Sequence, residues 1–447
     1  MTEHRILLCL ASALVVLQLW PFAHPYLLTA DDTLFQYWAL TRSPAEWLAV
    51  GFNTATWKSK LGELLSVPLM IFGNWGIESL AVRLLNLGFF ITSFALFAAH
   101  VVRYVPARTA FLVFLIGTAF LPLRDFHLPP TSYPFFPSVQ LILGLLCLRG
   151  LAEGPTLRVI SALGLFIALC SSEYTLFLLG ALIAFEGIVH LSRLGLPGAL
   201  CRPASLVGFA ALACHLGWRM ASGNGDYTQI SGFEDLSGVL RVQLFHTLNG
   251  LIFGSTVLTG NVTSLPFWDL LRSILAGVLA ALAVVMVLRR TPALQTSGFG
   301  QLLGLSVLVI FFVTFPVGLL VKYRDWCHNL EVCTYLDSRY AGWGLALAIA
   351  GFVAYLNRGT TLRYACAICV GGLTILTALH NGAVSRELQL RQLPWRAAEV
   401  AVCAGPSAWA EYVGSDLAQS IRFHVHPVEN RTRDSYWMAW AAAQTCG

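Results

Sequence analysis

The chain has 447 residues, of which 57% are hydrophobic and 11% charged, with a mean hydropathy of +0.69. A soluble domain carries about 25% charged residues, so this composition excludes an ordinary water-facing surface and requires lipid to cover much of the molecule. The net charge of +5 is too mild to point to nucleic acid and reads instead as membrane topology. The sequence therefore predicts an all-α polytopic membrane protein.

In chain order, His4-Arg5 precedes an apolar run from Ile6 to Trp20. No small-residue cleavage site follows it, so it reads as a retained first helix rather than a signal peptide. Further apolar runs lie near 79–102, 108–122, 136–150, 157–172, 174–192, 204–221, 267–288, 299–321, 340–356 and 364–381, giving about eleven transmembrane helices. With the N-terminus in the cytoplasm, the short inner turns carry Arg103/Arg108, Arg149/Arg158, Arg193/Arg202, Arg289/Arg290 and Arg358/Arg363. Each turn holds a pair of arginines, as the positive-inside rule asks.

The remaining segments, 23–78, 123–135, 222–266, 322–339 and a tail from 382, then face the extracytoplasmic side. In the first loop, Thr33–Leu40, Ala45–Val50 and Leu61–Phe72 read as helices lying along the membrane surface. Counting 61–75 as a span instead would cost the arginine turns their common side. Val239–Leu258 reads as another interfacial helix, and Asn261-Val-Thr and Asn430-Arg-Thr are acceptor sequons on the same side. The tail, 382–447, reads as a small α/β appendage to the 1–381 membrane domain, with strands at Glu399–Cys403 and Arg422–Val428 around a helix at Ser407–Ile421. Cys327/Cys333 and Cys403/Cys446 are disulfide candidates in an oxidising compartment. Cys366 and Cys369 form a CxxC inside a span and read as packing.

Asp31-Asp32 follows the first span directly. Adjacent carboxylates at a membrane surface are costly unless paired, hydrated or metal-bound, so they are candidates for a general base and for a divalent cation site. The alternative is helix capping, with Asp32 as an N-cap. The lysines, Lys58, Lys60 and Lys322, all fall in outer loops. This placement is either chance or provision for an anionic group such as a phosphate. Arg83, Arg124, Asp125, His127, Glu173, Arg219, Arg324, Asp325, Asp337 and Arg339 also gather at the outer ends of spans. His424-Val-His426 lacks a third ligand and reads as a solvated strand, while His190, His215 and His380 read as interfacial. There is no P-loop, dinucleotide fingerprint or nucleophile elbow.

A cytoplasmic N-terminus, a first span ending in an acidic pair and a long first outer loop together resemble the GT-C superfamily of multispan glycosyltransferases. Ile71-Phe-Gly73 followed by Ala81-Val-Arg83-Leu84, Ser172-Glu173 and Ser338-Arg339-Tyr340 are similar to short stretches of that family. The resemblance implies sugar transfer from a polyprenyl-phosphate donor to an envelope glycan or lipid acceptor, in a bacterial inner membrane. It assigns the catalytic base to Asp31 or Asp32 and the phosphate grip to Arg339, Lys58 and Lys60. Arg83 and Lys322 are further phosphate candidates, and Arg124, Asp125, Glu173 and Tyr340 further site candidates. No cofactor is required, though a divalent cation would fit the acidic pair. Two other functions compete: a polysaccharide polymerase or ligase, and a lipid or solute transporter.

Overall fold

A computed structural model describes residues 3–26, 29–124, 128–223, 235–252, 266–328, 330, 333–390 and 392–420. All regular structure among them is helical. The chain begins with α1 (Glu3–Leu19), extended by a 3-10 turn (Trp20–Ala23), then places three helices in the first loop: α2 (Ala30–Thr41), α3 (Pro44–Trp57) and α4 (Glu63–Asn74). The bundle continues through α5 (Leu80–Val101), α6 (Ala107–Ala119), α7 (Ser138–Gly150), α8 (Pro155–Cys170), α9 (Glu173–Leu200) and α10 (Pro203–Ser222). After α11 (Leu236–Asn249) come α12 (Phe267–Arg289), α13 (Thr296–Gly318), the short α14 (Val321–Trp326), α15 (Leu336–Tyr355) and α16 (Thr360–Leu390). Three small helices, α17 (Leu393–Ala404), α18 (Pro406–Gly414) and α19 (Asp416–Ser420), follow.

Every apolar run expected to span coincides with a helix, but only seven of these helices are long and apolar enough to cross a membrane. The shorter α6, α7 and α8 have 13, 13 and 16 residues. At about 1.5 Å per residue they fall short of a hydrocarbon core about 30 Å thick. The remaining one, α15, carries Asp337 and Arg339 and is enclosed by its neighbours rather than by lipid. Trp343 lies within 4.9 Å of Phe94 and 5.2 Å of Phe97, ring to ring. At Gly342 a Cβ would sit 2.4 Å from the Gly250 carbonyl oxygen, so only paired glycines let α15 and the end of α11 approach this closely. Apolar side chains elsewhere point outward, among them Ile160, Leu163 and Ile368. They form the surface that lipid would cover.

The arginine turns meet at one end of the bundle. Arg202 pairs with Glu186 at 2.9 Å and Arg103 pairs with the same carboxylate. Arg108 donates to the Arg290 carbonyl, and Arg290 pairs with Glu3 at 3.2 Å. At that end Arg363 also bonds Asn357, which in turn donates to Leu288 and Thr291. The acidic pair, Lys58, Glu173 and Arg339 lie at the other end.

The tail departs from expectation. Residues 399–403 belong to α17, not to a strand. Pro394 opens a helix there, and the alanines that follow favour one. Its face presents Ala398 and Ala401, which pack with Tyr26 and Ile77 of the first loop region. Moreover, α16 runs beyond 381 to Leu390. Residues 422–428 and both sequons lie outside the described residues. Cys327 and Cys333 form the expected disulfide. Cys403 is disulfide-bonded as well, and its expected partner Cys446 lies outside the described residues.

Candidate functional site

Helix α2 begins with a capping box. Thr29 is the N-cap, and its hydroxyl accepts the Asp32 N–H at 3.1 Å while Asp32 Oδ2 accepts the Thr29 N–H at 3.1 Å. Such reciprocal bonds satisfy donors that a helix start leaves orphaned. Asp32 is thus the third helical residue rather than the N-cap itself, and it is only 1% exposed. Its other oxygen accepts the Tyr133 N–H at 3.0 Å. Burial pushes the Asp32 carboxyl up to about 6, against the opposing pull of the hydrogen bonds from Tyr133 and Thr29. Asp31, one residue earlier, turns the other way and lines a cavity of about 320 Å³.

That cavity gathers residues from four separate parts of the chain. Lys58 caps the end of α3 and pairs with Glu63 at the start of α4, at 3.1 Å. Lys60 follows after Ser59, which takes a positive φ of 54° to turn the chain. Glu173 opens α9 beside its N-cap Ser172. The starts of α4 and α9 are pressed together, since a Cβ on Gly62 would lie 2.8 Å from the Ser172 Cα. Aromatic faces complete the lining: Phe35, Trp38, Trp57, Tyr133, Phe136, Tyr174 and Tyr335. The Tyr133 hydroxyl donates to Asp31 Oδ2 at 2.7 Å. Burial and the two neighbouring carboxylates push this phenol well above its usual value, so it remains a proton donor.

A second space of about 210 Å³ shares Lys60, Glu173 and Tyr174 with the first and adds Ser59, His215 and Arg219. It shares Leu176, Phe177, Leu212 and Pro316 with a third, an apolar groove of about 620 Å³ between α9, α10 and α13. This groove reaches from Pro316 and Leu169 to Leu196 and Ala199 near the arginine turns. The three spaces lie side by side, each sharing wall residues with the next.

Comparison with protein-family models, curated proteins and solved structures returned no match.

Of the residues singled out in the sequence, Asp31, Lys58, Lys60 and Glu173 converge on the cavity. Arg339 does not. It is fully buried in α15, where Nε donates to the Pro129 carbonyl at 2.8 Å and Nη2 to that of Pro122 at 3.0 Å. Arg83 binds the carbonyls of Ala23, Ile77 and Glu78 at 2.6, 3.0 and 2.8 Å, with its guanidinium 4.7 Å from the Tyr26 ring centre. Both arginines donate to main-chain oxygens and act as struts, although Arg339 Nη1 is buried without a hydrogen-bond partner among the described residues. Lys322 sits 4.4 Å from the Trp326 ring centre and lines none of the three spaces. Tyr340 is buried edge-on against Trp343. Arg124 is half-buried beside Arg339, and Asp125 lies outside the described residues.

Away from the cavity, His246, Cys327 and Cys333 place ligand atoms within 4.8 Å of one another, a spacing that could hold a metal ion. The cysteines are joined as a disulfide and His246 Nδ1 is 2.7 Å from Asp337 Oδ2. A metal there would need the thiolates that the disulfide consumes. Asp31 and Asp32 do not form a chelating pair, because Asp32 spends its oxygens on Thr29 and Tyr133.

Sequence reasoning missed Tyr133. It stands in Pro129-Pro-Thr-Ser-Tyr-Pro134, a loop without periodicity, and only the loop's path brings it to the acidic pair. His215 was read as interfacial, but it joins Arg219 at the neck one helical turn away on the same face of α10.

Proposed function

We propose that this protein transfers a sugar, with inversion, from a polyprenyl-phosphate donor to an extracytoplasmic envelope glycan or lipid acceptor. The observation that carries this reading is the adjacency of three spaces: an apolar groove, a neck bearing Lys60, His215 and Arg219, and a cavity that carries Asp31, Glu63 and Glu173 among aromatic faces. An amphiphile with a long apolar chain, an anionic link and a ring-shaped head matches that order. Aromatic faces suit the apolar side of a pyranose, and Asp31 supplies the polar contact that orients it.

In this reading Asp31 takes the proton of the acceptor hydroxyl as the new bond forms at the anomeric carbon. The bond from that carbon to the phosphate oxygen breaks, and the leaving lipid phosphate keeps the electron pair. Lys60 and Arg219 lie where that charge develops. The phosphate grip moves from Arg339 to the neck, because Arg339 is committed to Pro122 and Pro129. The arginine end would face the cytoplasm of a bacterial inner membrane, with the cavity on the outer side. The resemblance to GT-C enzymes in the acidic pair and the long first loop supports the same assignment.

Comparing glycans of a deletion strain complemented with wild type or Asp31→Asn tests this. Loss of one sugar in the deletion, restored by wild type and not by a normally accumulated Asp31→Asn, is the expected result. Full restoration by Asp31→Asn overturns the assignment. A second reading, lipid translocation, is favoured by the reach of the groove toward both ends of the bundle. Movement of a labelled lipid phosphate across liposomes by Asp31→Asn protein would select it.

A further inference from the structure

We propose that Tyr133 is the positioning residue of the acidic pair, its hydroxyl aiming the Asp31 carboxylate into the cavity while its main-chain N–H holds Asp32 beneath. The inference deepens the assignment of Asp31 as the base and rests on it. Tyr133 touches both carboxylates with different groups: the phenol reaches Asp31 Oδ2 at 2.7 Å and the backbone reaches Asp32 Oδ1 at 3.0 Å. One residue from a loop more than a hundred positions away thus separates the roles of two adjacent acids.

The loop is built to hold that residue. Tyr133 and Phe135 have φ of 56° and 62°, a region that bulky side chains rarely adopt and that persists only where the surroundings over-determine it. The surroundings do so from three sides. Arg339 holds the Pro129 carbonyl at 2.8 Å. Asn86 holds the Pro130 carbonyl with its amide at 2.5 Å and accepts the Phe135 N–H at 2.8 Å. From α4, Gly73 lies so close that a Cβ there would be 2.3 Å from the Pro134 carbonyl oxygen. A loop kept only to fill space would accept phenylalanine at 133, because the ring already meets Phe35 and Phe136 at 6.3 and 6.5 Å between centres. The hydroxyl, by contrast, is aimed at the carboxylate.

Charged and titratable groups sharing the cavity with Asp31 are Lys58 and Lys60 from the end of α3, Glu63 from α4, Glu173 and Tyr174 from α9, and Tyr335 before α15, with Asp32 behind it. A hydrogen bond donated to the charged form of an acid lowers its proton affinity. Deleting the Tyr133 hydroxyl while leaving these groups in place should therefore raise that affinity at Asp31 alone.

The test uses full-length protein in detergent, wild type and Tyr133→Phe, treated with a water-soluble carbodiimide and an amine from about pH 4 to 8. Labelling of Asp31 and Asp32 is resolved by fragmenting their shared peptide in a mass spectrometer. In Tyr133→Phe the Asp31 labelling midpoint should rise by about one pH unit, while that of Asp32, bonded to main chain, stays in place. An unmoved Asp31 midpoint overturns the proposal. Equal movement of both also overturns it, since that reports a displaced loop. Incorporating 3-fluorotyrosine at position 133, which makes the hydroxyl a stronger donor, should lower the Asp31 midpoint. It provides the same decision if Tyr133→Phe does not accumulate. In sugar transfer, kcat should fall at least about tenfold, roughly 1.4 kcal/mol, with KM for the lipid donor unchanged. A labelling shift with no transfer by the wild type would uphold the positioning role and remove only the glycosyltransferase reading.

Discussion

Asp31 and Asp32 are adjacent in the chain but face different ways: Asp31 lines the cavity, whereas Asp32 is 1% exposed beneath it. The reason is helical geometry. The capping box commits the Asp32 side chain to its own helix start, and the next position around the helix, about 100° away, must point elsewhere. One acid therefore serves the fold and the other is presented to the cavity.

The first prediction concerns pH. Burial raises the folded-state value of Asp32 to about 6 from an ordinary 3.8. A raised acid binds its proton more tightly folded than unfolded. Its contribution to stability is therefore fully present below about pH 4 and lost as pH rises toward 6. The loss is on the order of 3 kcal/mol. Asp32→Asn should flatten the pH dependence of thermal unfolding in detergent across that window, whereas Asp31→Asn should retain it. Identical slopes in wild type and Asp32→Asn would remove this explanation.

The neck makes the second. Replacing Lys60 or Arg219 with Gln removes a cation from the segment between groove and cavity. Each variant should raise KM for a lipid-phosphate donor about tenfold, equivalent to about 1.4 kcal/mol. Lys322→Gln, at a position outside all three spaces, should leave KM unchanged. Steady-state kinetics with a synthetic short-chain donor would read this, and a Lys322→Gln effect equal to that of Arg219→Gln would sink the neck as phosphate site.

Arg339 supplies a third. Its guanidinium donates to the Pro122 and Pro129 carbonyls in a fully buried setting. Hydrogen bonds from charged groups contribute about 1.5–3 kcal/mol each. Arg339→Met should lower unfolding stability by about 3 kcal/mol and disturb the loop that carries Tyr133. A phosphate-binding arginine would instead raise donor KM and leave stability intact, so measuring both quantities separates the roles.

Gly73→Ala is the fourth. The added methyl would meet a main-chain oxygen at 2.3 Å, and backbone cannot step aside as a flexible side chain does. Overpacking of this kind costs about 1–3 kcal/mol. The variant should lose stability and sugar transfer together, whereas Gly88→Ala, where a Cβ meets nothing within 4 Å, should lose neither. Circular-dichroism melts and the transfer assay check both.

Sequence alone was sufficient for features that depend on local pattern. Apolar runs marked every long helix, because a segment solvated by lipid must satisfy its own backbone. Paired arginines marked the turns that meet around Glu186 and Arg290. The short helices of the first loop and the Cys327–Cys333 bridge were legible in the same way, as was the gathering of Asp31, Lys58, Lys60 and Glu173 at one end of the bundle. Tertiary structure decided which charges face the cavity. Arg339 and Asp31 look alike as membrane-end charges in the sequence, yet one is spent on Pro122 and Pro129 and the other opens into a cavity. Whether a charge is consumed by carbonyls or left facing a cavity depends on how distant segments pack. Likewise, Tyr133 meets Asp31 only because Arg339, Asn86 and Gly73 fix the loop between them.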